Sequence, residues 1–149
     1  IARAPDKHQM GVTTSHMFKR DLAAYFCSRS PEQLSVLELG IYHGHTTAVL
    51  TAVFGQVLAL DIEAEYLDIA RQNSQGRNNA HFLPFDSYID DWQKLGANRF
   101  DVAVIDGDHF YEKVRLDASN VLTHFSPSYL IFDDYGTEEG VQRTVRELQ

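Results

Sequence analysis

The sequence has little cysteine, little positive charge and no long apolar run. Cys27 is the single cysteine among 149 residues, which excludes an internal disulfide framework and predicts a reducing compartment, the cytoplasm. Lys and Arg number 13 against 21 Asp and Glu, so the formal net charge is −8 at pH 7. Without a basic cluster, this balance argues against nucleic acid and anionic membranes as partners. No apolar stretch approaches the roughly 20 residues that a membrane-spanning helix needs.

Glycine is also scarce where a dinucleotide-binding loop would need it. A short apolar run at residues 36–39 leads into a loop with Gly40 and Gly44, and a helical pattern follows. A dinucleotide fingerprint carries three glycines, spaced Gly-x-Gly-x-x-Gly, whereas Tyr42 stands here between two. Glu38 lies two residues before the first glycine, and a carboxylate suits a cationic ligand group such as an ammonium. The loop therefore predicts a ligand site at a strand-to-helix turn, with poor provision for a pyrophosphate.

What the sequence does have is a regular alternation of apolar runs and helical patterns. Strands are predicted at residues 36–39, 57–62, 81–85, 100–105 and 129–132. Helices are predicted at residues 14–28, 44–54, 63–75, 89–95, 111–125 and 139–148, and residues 1–12 are predicted as loop. This order predicts α/β architecture, a Rossmann-like parallel sheet with helices on both faces, in one domain over residues 1–149. Pro84 places the third strand at a sheet edge or at a strand end.

Acidic residues stand at or just after the end of every predicted strand. They are Glu38, Asp61, Asp86, Asp106 and the pair Asp133 and Asp134. Because ligands of open α/β sheets bind beyond the carboxyl ends of the strands, this edge is the predicted binding edge. Asp61 follows the glycine loop by about 20 residues, which suits a carboxylate that binds ribose hydroxyls, although an acid that begins the next helix is also ordinary. Asp106 and Asp133–Asp134 would lie on neighbouring strands, where their charges repel unless a cation such as Mg²⁺, Mn²⁺ or Ca²⁺ lies among them.

Three motifs carry a family resemblance. Glu-Leu-Gly-Ile-Tyr-His-Gly-His-Thr at residues 38–46 resembles the first motif of class I S-adenosylmethionine-dependent methyltransferases, and is closest to that of the metal-dependent catechol O-methyltransferase-like enzymes. Ile-Asp-Gly-Asp-His-Phe-Tyr at 105–111 and Phe-Asp-Asp-Tyr at 132–135 look most like a small subgroup of that family. The resemblance covers residues 34–149. The family continues with two strands in an antiparallel hairpin that this sequence does not reach, so we expect a C-terminally short domain or a fragment of a longer protein.

The resemblance implies S-adenosylmethionine as the cofactor and assigns residues to it. The implied cofactor residues are Glu38, Gly40, Tyr42, Gly44 and Thr46 in the loop, Asp61 on the ribose, Asp86 and Ser87 at the adenine edge, and Asp106 near the methionine end. For Asp86 and Ser87 a simple turn is the alternative. Asp106, Asp133 and Asp134 are the implied ligands of Mg²⁺ or another divalent cation, with Asp-Asp where Asp-Asn is common in the family.

His109 is the candidate catalytic base. It stands where the resembling enzymes often carry a lysine that takes the substrate's proton, and histidine can do this near neutral pH. A loop histidine bonded to backbone is the alternative. The sequence thus predicts methyl transfer from S-adenosylmethionine to a hydroxyl of a small molecule, assisted by a metal. An NAD-linked oxidoreductase and a non-catalytic cofactor-binding domain remain as alternatives, and a homodimer is left open.

Overall fold

Strands and helices alternate along the chain in the computed structural model, which describes residues 14–96 and 99–149. The strands are β1 (Ser35–Leu39), β2 (Gln56–Asp61), β3 (Ala80–Pro84), β4 (Val102–Ile105) and β5 (Tyr129–Phe132). The α-helices are α1 (His16–Phe26), α2 (His45–Val53), α3 (Ala64–Asn73), α4 (Tyr111–His124) and α5 (Glu139–Leu148). The loop predicted for residues 1–12 lies outside the described residues.

The predicted helix at residues 89–95 is a shorter element. Only Trp92–Leu95 is helical, and it is a 3₁₀ turn. Asp91 begins the turn, since its carboxylate accepts a hydrogen bond from the Gln93 N–H, and Gly96 ends it with a φ of +76°. The four residues between Asp91 and Gly96 are too few for a regular run of α-helical hydrogen bonds. They therefore adopt the tighter 3₁₀ form.

The five strands form one sheet in the order β3-β2-β1-β4-β5, and all four pairings are parallel. This confirms the predicted parallel Rossmann-like sheet, and β3 with its Pro84 lies at an edge. The strand order reverses between β1 and β4, which is where a ligand crevice opens in sheets of this kind. Leu39 pairs with Ile105, so Gly40 and Asp106 leave the sheet side by side at that point.

Side chains of the central strands alternate between two apolar cores. Leu37 and Leu39 of β1 belong to one core with Val114 of α4 and Val141 of α5. Val36 belongs to the other core, whose helical members come from α1, α2 and α3. Helices therefore cover both faces, as predicted. Within the described part of the chain, no helix is both long enough and apolar enough to cross a membrane.

Helix α1 begins as predicted but turns an unexpected face inward. The Ser15 hydroxyl accepts a hydrogen bond from the Phe18 N–H and so caps the helix. Lys19 is buried on the inner face, although it is charged, and its Nζ donates to the backbone carbonyl of Thr14 at 2.6 Å. Met17, an apolar residue of the same helix, is 64% exposed. The lysine takes the core-facing position because a backbone acceptor satisfies its ammonium there.

Candidate functional site

The loop after β1 depends on two glycines at close contacts. Gly40 has a φ of +82°, and a Cβ there would lie 2.3 Å from the carbonyl oxygen of Asp106. Gly44 has a φ of +71°, and a Cβ there would lie 2.4 Å from the Cβ of Ala70 on α3. Gly40 therefore lets the ends of β1 and β4 approach, and Gly44 lets the start of α2 pack on α3.

Asp61, at the end of β2, holds this loop in place. Its Oδ2 accepts hydrogen bonds from the N–H groups of Ile41 at 2.8 Å and Tyr42 at 3.1 Å. Its Oδ1 accepts from the Glu63 N–H at 2.9 Å. Tyr42 has a φ of +49°, an unfavourable region for a bulky residue that these bonds help to maintain. A carboxylate offers about four acceptor positions, so the three bonds leave about one for a ligand hydroxyl.

Glu38 lies beneath the loop, fully buried and turned toward α2. Its Oε2 accepts a hydrogen bond from the Thr47 hydroxyl at 2.7 Å, whereas its buried Oε1 has no hydrogen-bond partner among the described residues. Burial raises the pKa of Glu38 to about 8; the Thr47 bond lowers it, nearby Asp61 raises it and Lys19 lowers it. Glu38 is not among the residues that line the two clefts at the carboxyl edge of the sheet, so it supports the loop from below rather than forming its surface.

Two clefts open along the carboxyl edge of the sheet, on either side of a shared wall. The first has a volume of about 320 Å³ and the second about 370 Å³. The first cleft contains Asp61, Tyr66, Asp86, Ser87, Tyr88 and Asp117. The second contains Thr14, Thr46, Asp106, His109, Asp133 and Asp134. The shared wall consists of Gly40, Ile41, Tyr42, Asp106 and Gly107, which follow β1 and β4 at the point where the strand order reverses.

Asp106 and Thr46 are joined in the second cleft through Thr14. The Thr46 hydroxyl donates to the Thr14 hydroxyl at 3.0 Å, and the Thr14 hydroxyl donates to Asp106 Oδ2 at 3.0 Å. The pKa of Asp106 is raised well above its usual range, first by burial and then by the negative charge of Asp133 on the neighbouring strand. The sequence did not indicate Thr14 as a residue of the site, because a single threonine near the start of a helix is ordinary.

His109 lies in the second cleft beside two of the aspartates. Its Nε2 is 3.3 Å from Asp134 Oδ2 and 4.0 Å from Asp106 Oδ1. These are ion-pair distances for a protonated ring, but the ring is not aligned for a hydrogen bond, and Nε2 has no such partner in the described residues. The His109 side chain as a whole is 37% exposed, but its Nε2 atom is buried against the two aspartates.

The three aspartates predicted as metal ligands come close together but do not form a metal cage. Among the described residues, no group of three or more His, Cys, Asp or Glu side chains is arranged to hold a metal ion. Asp134 is directed toward His109, with its Oδ1 accepting a hydrogen bond from the Thr137 hydroxyl at 3.2 Å, and Asp106 is bonded to Thr14. This donor set does not fit a divalent cation as it stands, so the metal assignment stays a prediction.

The sequence profile of a protein family described as "Methyltransferase domain" matches residues 37–135, from β1 to just past β5. The matched stretch exceeds half of the chain and includes the shared wall of the two clefts. The chain belongs to this methyltransferase family. None of the curated proteins matches the chain significantly.

Solved structures share the fold of this methyltransferase. N-methyltransferase NodS from Bradyrhizobium japonicum WM9 is similar at 18% identity and a TM-score of 0.64, over 89% of this chain and 83% of that one. An O-methyltransferase from Bacillus cereus, solved with SAH, is similar at 20% identity and a TM-score of 0.67, over 98% of this chain and 72% of that one. CalS10 from Micromonospora echinaspora, solved with SAM, is similar at 20% identity and a TM-score of 0.58, over 75% of this chain and 47% of that one. At these identities the likeness shows the fold.

The clefts of the methyltransferase gather most of the residues that the sequence singled out. Asp61, Asp86 and Ser87 line the first cleft, and Tyr42 and Asp106 line both. The second cleft also contains Thr46, His109, Asp133 and Asp134. Gly44 and Glu38 line neither cleft. Asp117 was missed, although it lies within the buried face of α4 between Val114 and Val121. An acid within an apolar stripe is the signal that could have found it.

Proposed function

We propose that this methyltransferase binds S-adenosylmethionine across the shared wall of its two clefts and methylates a hydroxyl of a small molecule. The observation that carries the proposal is the position of that wall, where Gly40 and Asp106 leave the sheet side by side. One ligand lying over it would reach both clefts. The wall also lies where the strand order reverses, which is the position at which open α/β sheets bind ligands.

The polar groups of the two clefts suit the two halves of the cofactor. In the first cleft, Asp61 has an acceptor position left for a ribose hydroxyl, and Asp86 and Ser87 follow β3 beside it. In the second cleft, Asp106 and Thr46 would face the methionine part. When bound, S-adenosylmethionine supplies a methyl group on a positively charged sulfonium. The acidic second cleft favours such a cation over an anionic pyrophosphate.

The position of His109 in the second cleft supports a hydroxyl, rather than an amine, as the methyl acceptor. A hydroxyl has to lose its proton when it accepts a methyl group, whereas a neutral amine attacks before losing one. The His109 side chain lines the second cleft and is partly exposed, and Asp134, 3.3 Å from its buried Nε2, would stabilise the imidazolium formed when the ring takes a proton. The pair acts as base and orienting carboxylate without requiring a metal. A protein-held divalent cation, predicted from the sequence, would need the three aspartates to take an arrangement different from the one among the described residues.

The test is turnover of S-adenosylmethionine with a panel of small phenols and alcohols beside matched amines, read as released S-adenosylhomocysteine. We expect methylation of a hydroxyl, and His109→Ala should lower turnover by roughly 10²–10⁴-fold. His81→Ala, at an exposed histidine of β3, is the matched control and should leave turnover unchanged. Methylation of amines alone would contradict the acceptor class, and a fully active His109→Ala variant would remove the base.

Binding and turnover measurements on the same protein also distinguish two other functions. Binding of S-adenosylhomocysteine without turnover on any acceptor would favour a non-catalytic cofactor-binding domain. Binding of NAD in its place would favour an oxidoreductase. The cytoplasmic location and the homodimer stay predictions, to be tested by fractionation and by the mass of the protein in solution.

A further inference from the structure

Asp117 is a buried carboxylate in the wall of the first cleft that the proposed function has not used. It lies on α4, and only 1% of its surface is exposed. Its Oδ2 lies 3.8 Å from the place that a Cβ on Gly107 would take, so the carboxylate stands next to the shared wall. A buried acid in such a position needs hydrogen-bond donors around it.

Asp117 and two other residues of α4 hold the loop after β3. Burial raises the pKa of Asp117 to about 6, and the hydroxyls of Ser87 and Tyr88 act in the opposite direction and lower it. Lys113 places its Nζ 3.6 Å from the centre of the Tyr88 ring. Asn120 donates from Nδ2 to the Ser87 carbonyl at 3.4 Å. The loop that borders the first cleft is therefore fixed to one face of α4.

One oxygen of Asp117 is left without a donor. Its Oδ1 is buried and has no hydrogen-bond partner among the described residues. Asp86, which the sequence assigned to the adenine edge, differs in that its Oδ1 accepts a hydrogen bond from the Tyr88 N–H at 2.9 Å. An unsatisfied buried acceptor is costly, and a donor that enters the cleft beside Ser87 would satisfy it.

We propose that Asp117 determines the purine specificity of the cofactor cleft by accepting a hydrogen bond from the 6-amino group of adenine. The proposal rests on the proposed function, because it takes the ribose to lie at Asp61 in the same cleft. Asp61, Asp117 and the Ser87–Tyr88 loop all line this one cleft, so a base attached to a ribose at Asp61 would lie in the same cleft as Asp117. An ionised carboxylate only accepts, so it favours an amino group over a carbonyl or a hydrogen atom.

The test compares two ligands by titration calorimetry. One is S-adenosylhomocysteine, and the other is its 6-deamino analogue, in which a hydrogen atom replaces the amino group. We expect the wild-type protein to bind the analogue about 10–100-fold more weakly, because the analogue leaves Oδ1 unpaired. Asp117→Leu should abolish this preference, and Asp117→Asn, whose amide keeps one acceptor and nearly the same shape, should reduce it.

Asp101→Asn is the matched control. Asp101 lies at the amino ends of β1 and β4 and lines neither cleft, and its Oδ2 accepts from the Ser35 N–H, so the preference should be unchanged. If Asp117→Leu does not fold, Asp117→Asn decides. Equal binding of the two ligands by the wild-type protein, or a preference retained in the Asp117 variants, would overturn the inference. Failure of the wild-type protein to bind S-adenosylhomocysteine would instead overturn the proposed function.

Discussion

Replacing Asp61 by Ala should weaken both the glycine loop and the binding of the cofactor. The substitution removes acceptors from three backbone N–H groups, those of Ile41, Tyr42 and Glu63. Hydrogen bonds to a charged group contribute about 1.5–3 kcal/mol each. Water can replace part of that loss at a cleft, so we expect the free energy of unfolding to fall by roughly 2–4 kcal/mol. In a chain of this size, that corresponds to a melting temperature lower by roughly 5–15 °C.

The affinity for S-adenosylhomocysteine should fall by a further, separable amount. Loss of a charge-assisted hydrogen bond to the ribose costs about 1–3 kcal/mol, or roughly 5–150-fold in Kd. Thermal unfolding measures the first effect, and titration calorimetry well below the melting temperature measures the second. Asp61→Asn should be milder, because the amide oxygen still accepts from the loop while the amide nitrogen cannot accept from Glu63.

Asp101→Ala is the matched control for the loop. Asp101 likewise accepts from backbone and side chain, since its Oδ2 is 2.8 Å from both the N and the Oγ of Ser35. It lies at the amino ends of β1 and β4, away from the clefts, so its loss should lower stability without changing affinity. If Asp61→Ala and Asp101→Ala had the same effect on Kd, or if Asp61→Ala left stability unchanged, the assigned role of Asp61 would be refuted.

Two other predictions concern the metal and the buried acid. Turnover should persist in excess EDTA, because the proposed base His109 and its partner Asp134 need no ion; a loss of turnover restored by Mg²⁺ would instead support the three predicted metal ligands. Because the folded-state pKa of Glu38 is raised to about 8, the folded protein retains a proton that the unfolded chain loses near pH 4.5. Its free energy of unfolding should therefore decline from about pH 4.5 to about pH 8, by roughly 3 kcal/mol up to pH 7. Glu38→Gln should flatten this decline, and an unaltered pH profile of urea unfolding in that variant would contradict it.

The alternation of the sheet was predictable because its strands are short apolar runs bounded by glycine, proline and acids. β5 and α5 agree with the predicted bounds residue for residue, and the other strands and α-helices agree within about two residues at each end. The helix predicted at residues 89–95 is longer than the observed 3₁₀ turn at Trp92–Leu95. The prediction began at the apolar residue Ile89, whereas Asp91 caps the start of the turn. Local signals of capping decided that boundary.

The location of the candidate site was predictable from the sequence, whereas the hydrogen-bond partners of its side chains were not. Parallel strands bring their carboxyl ends to one edge, so the sequence predicted the edge of the sheet at which Asp61 and Asp106 line the clefts, while their roles stay predictions. It could not show that Asp61 bonds to the loop backbone, since that depends on the left-handed turn at Tyr42. Lys19 and Asp117 were missed for a common reason: each is a charged residue on the inner face of a helix that its apolar neighbours define.

The central claim is that the shared wall of the two clefts binds S-adenosylmethionine, and direct binding tests it most simply. S-adenosylhomocysteine should be titrated calorimetrically into the wild-type protein, and the titration repeated in the presence of excess NAD. We expect one molecule of S-adenosylhomocysteine to bind per chain, with an affinity that NAD does not change. Tight binding of NAD with no heat from S-adenosylhomocysteine would contradict the account.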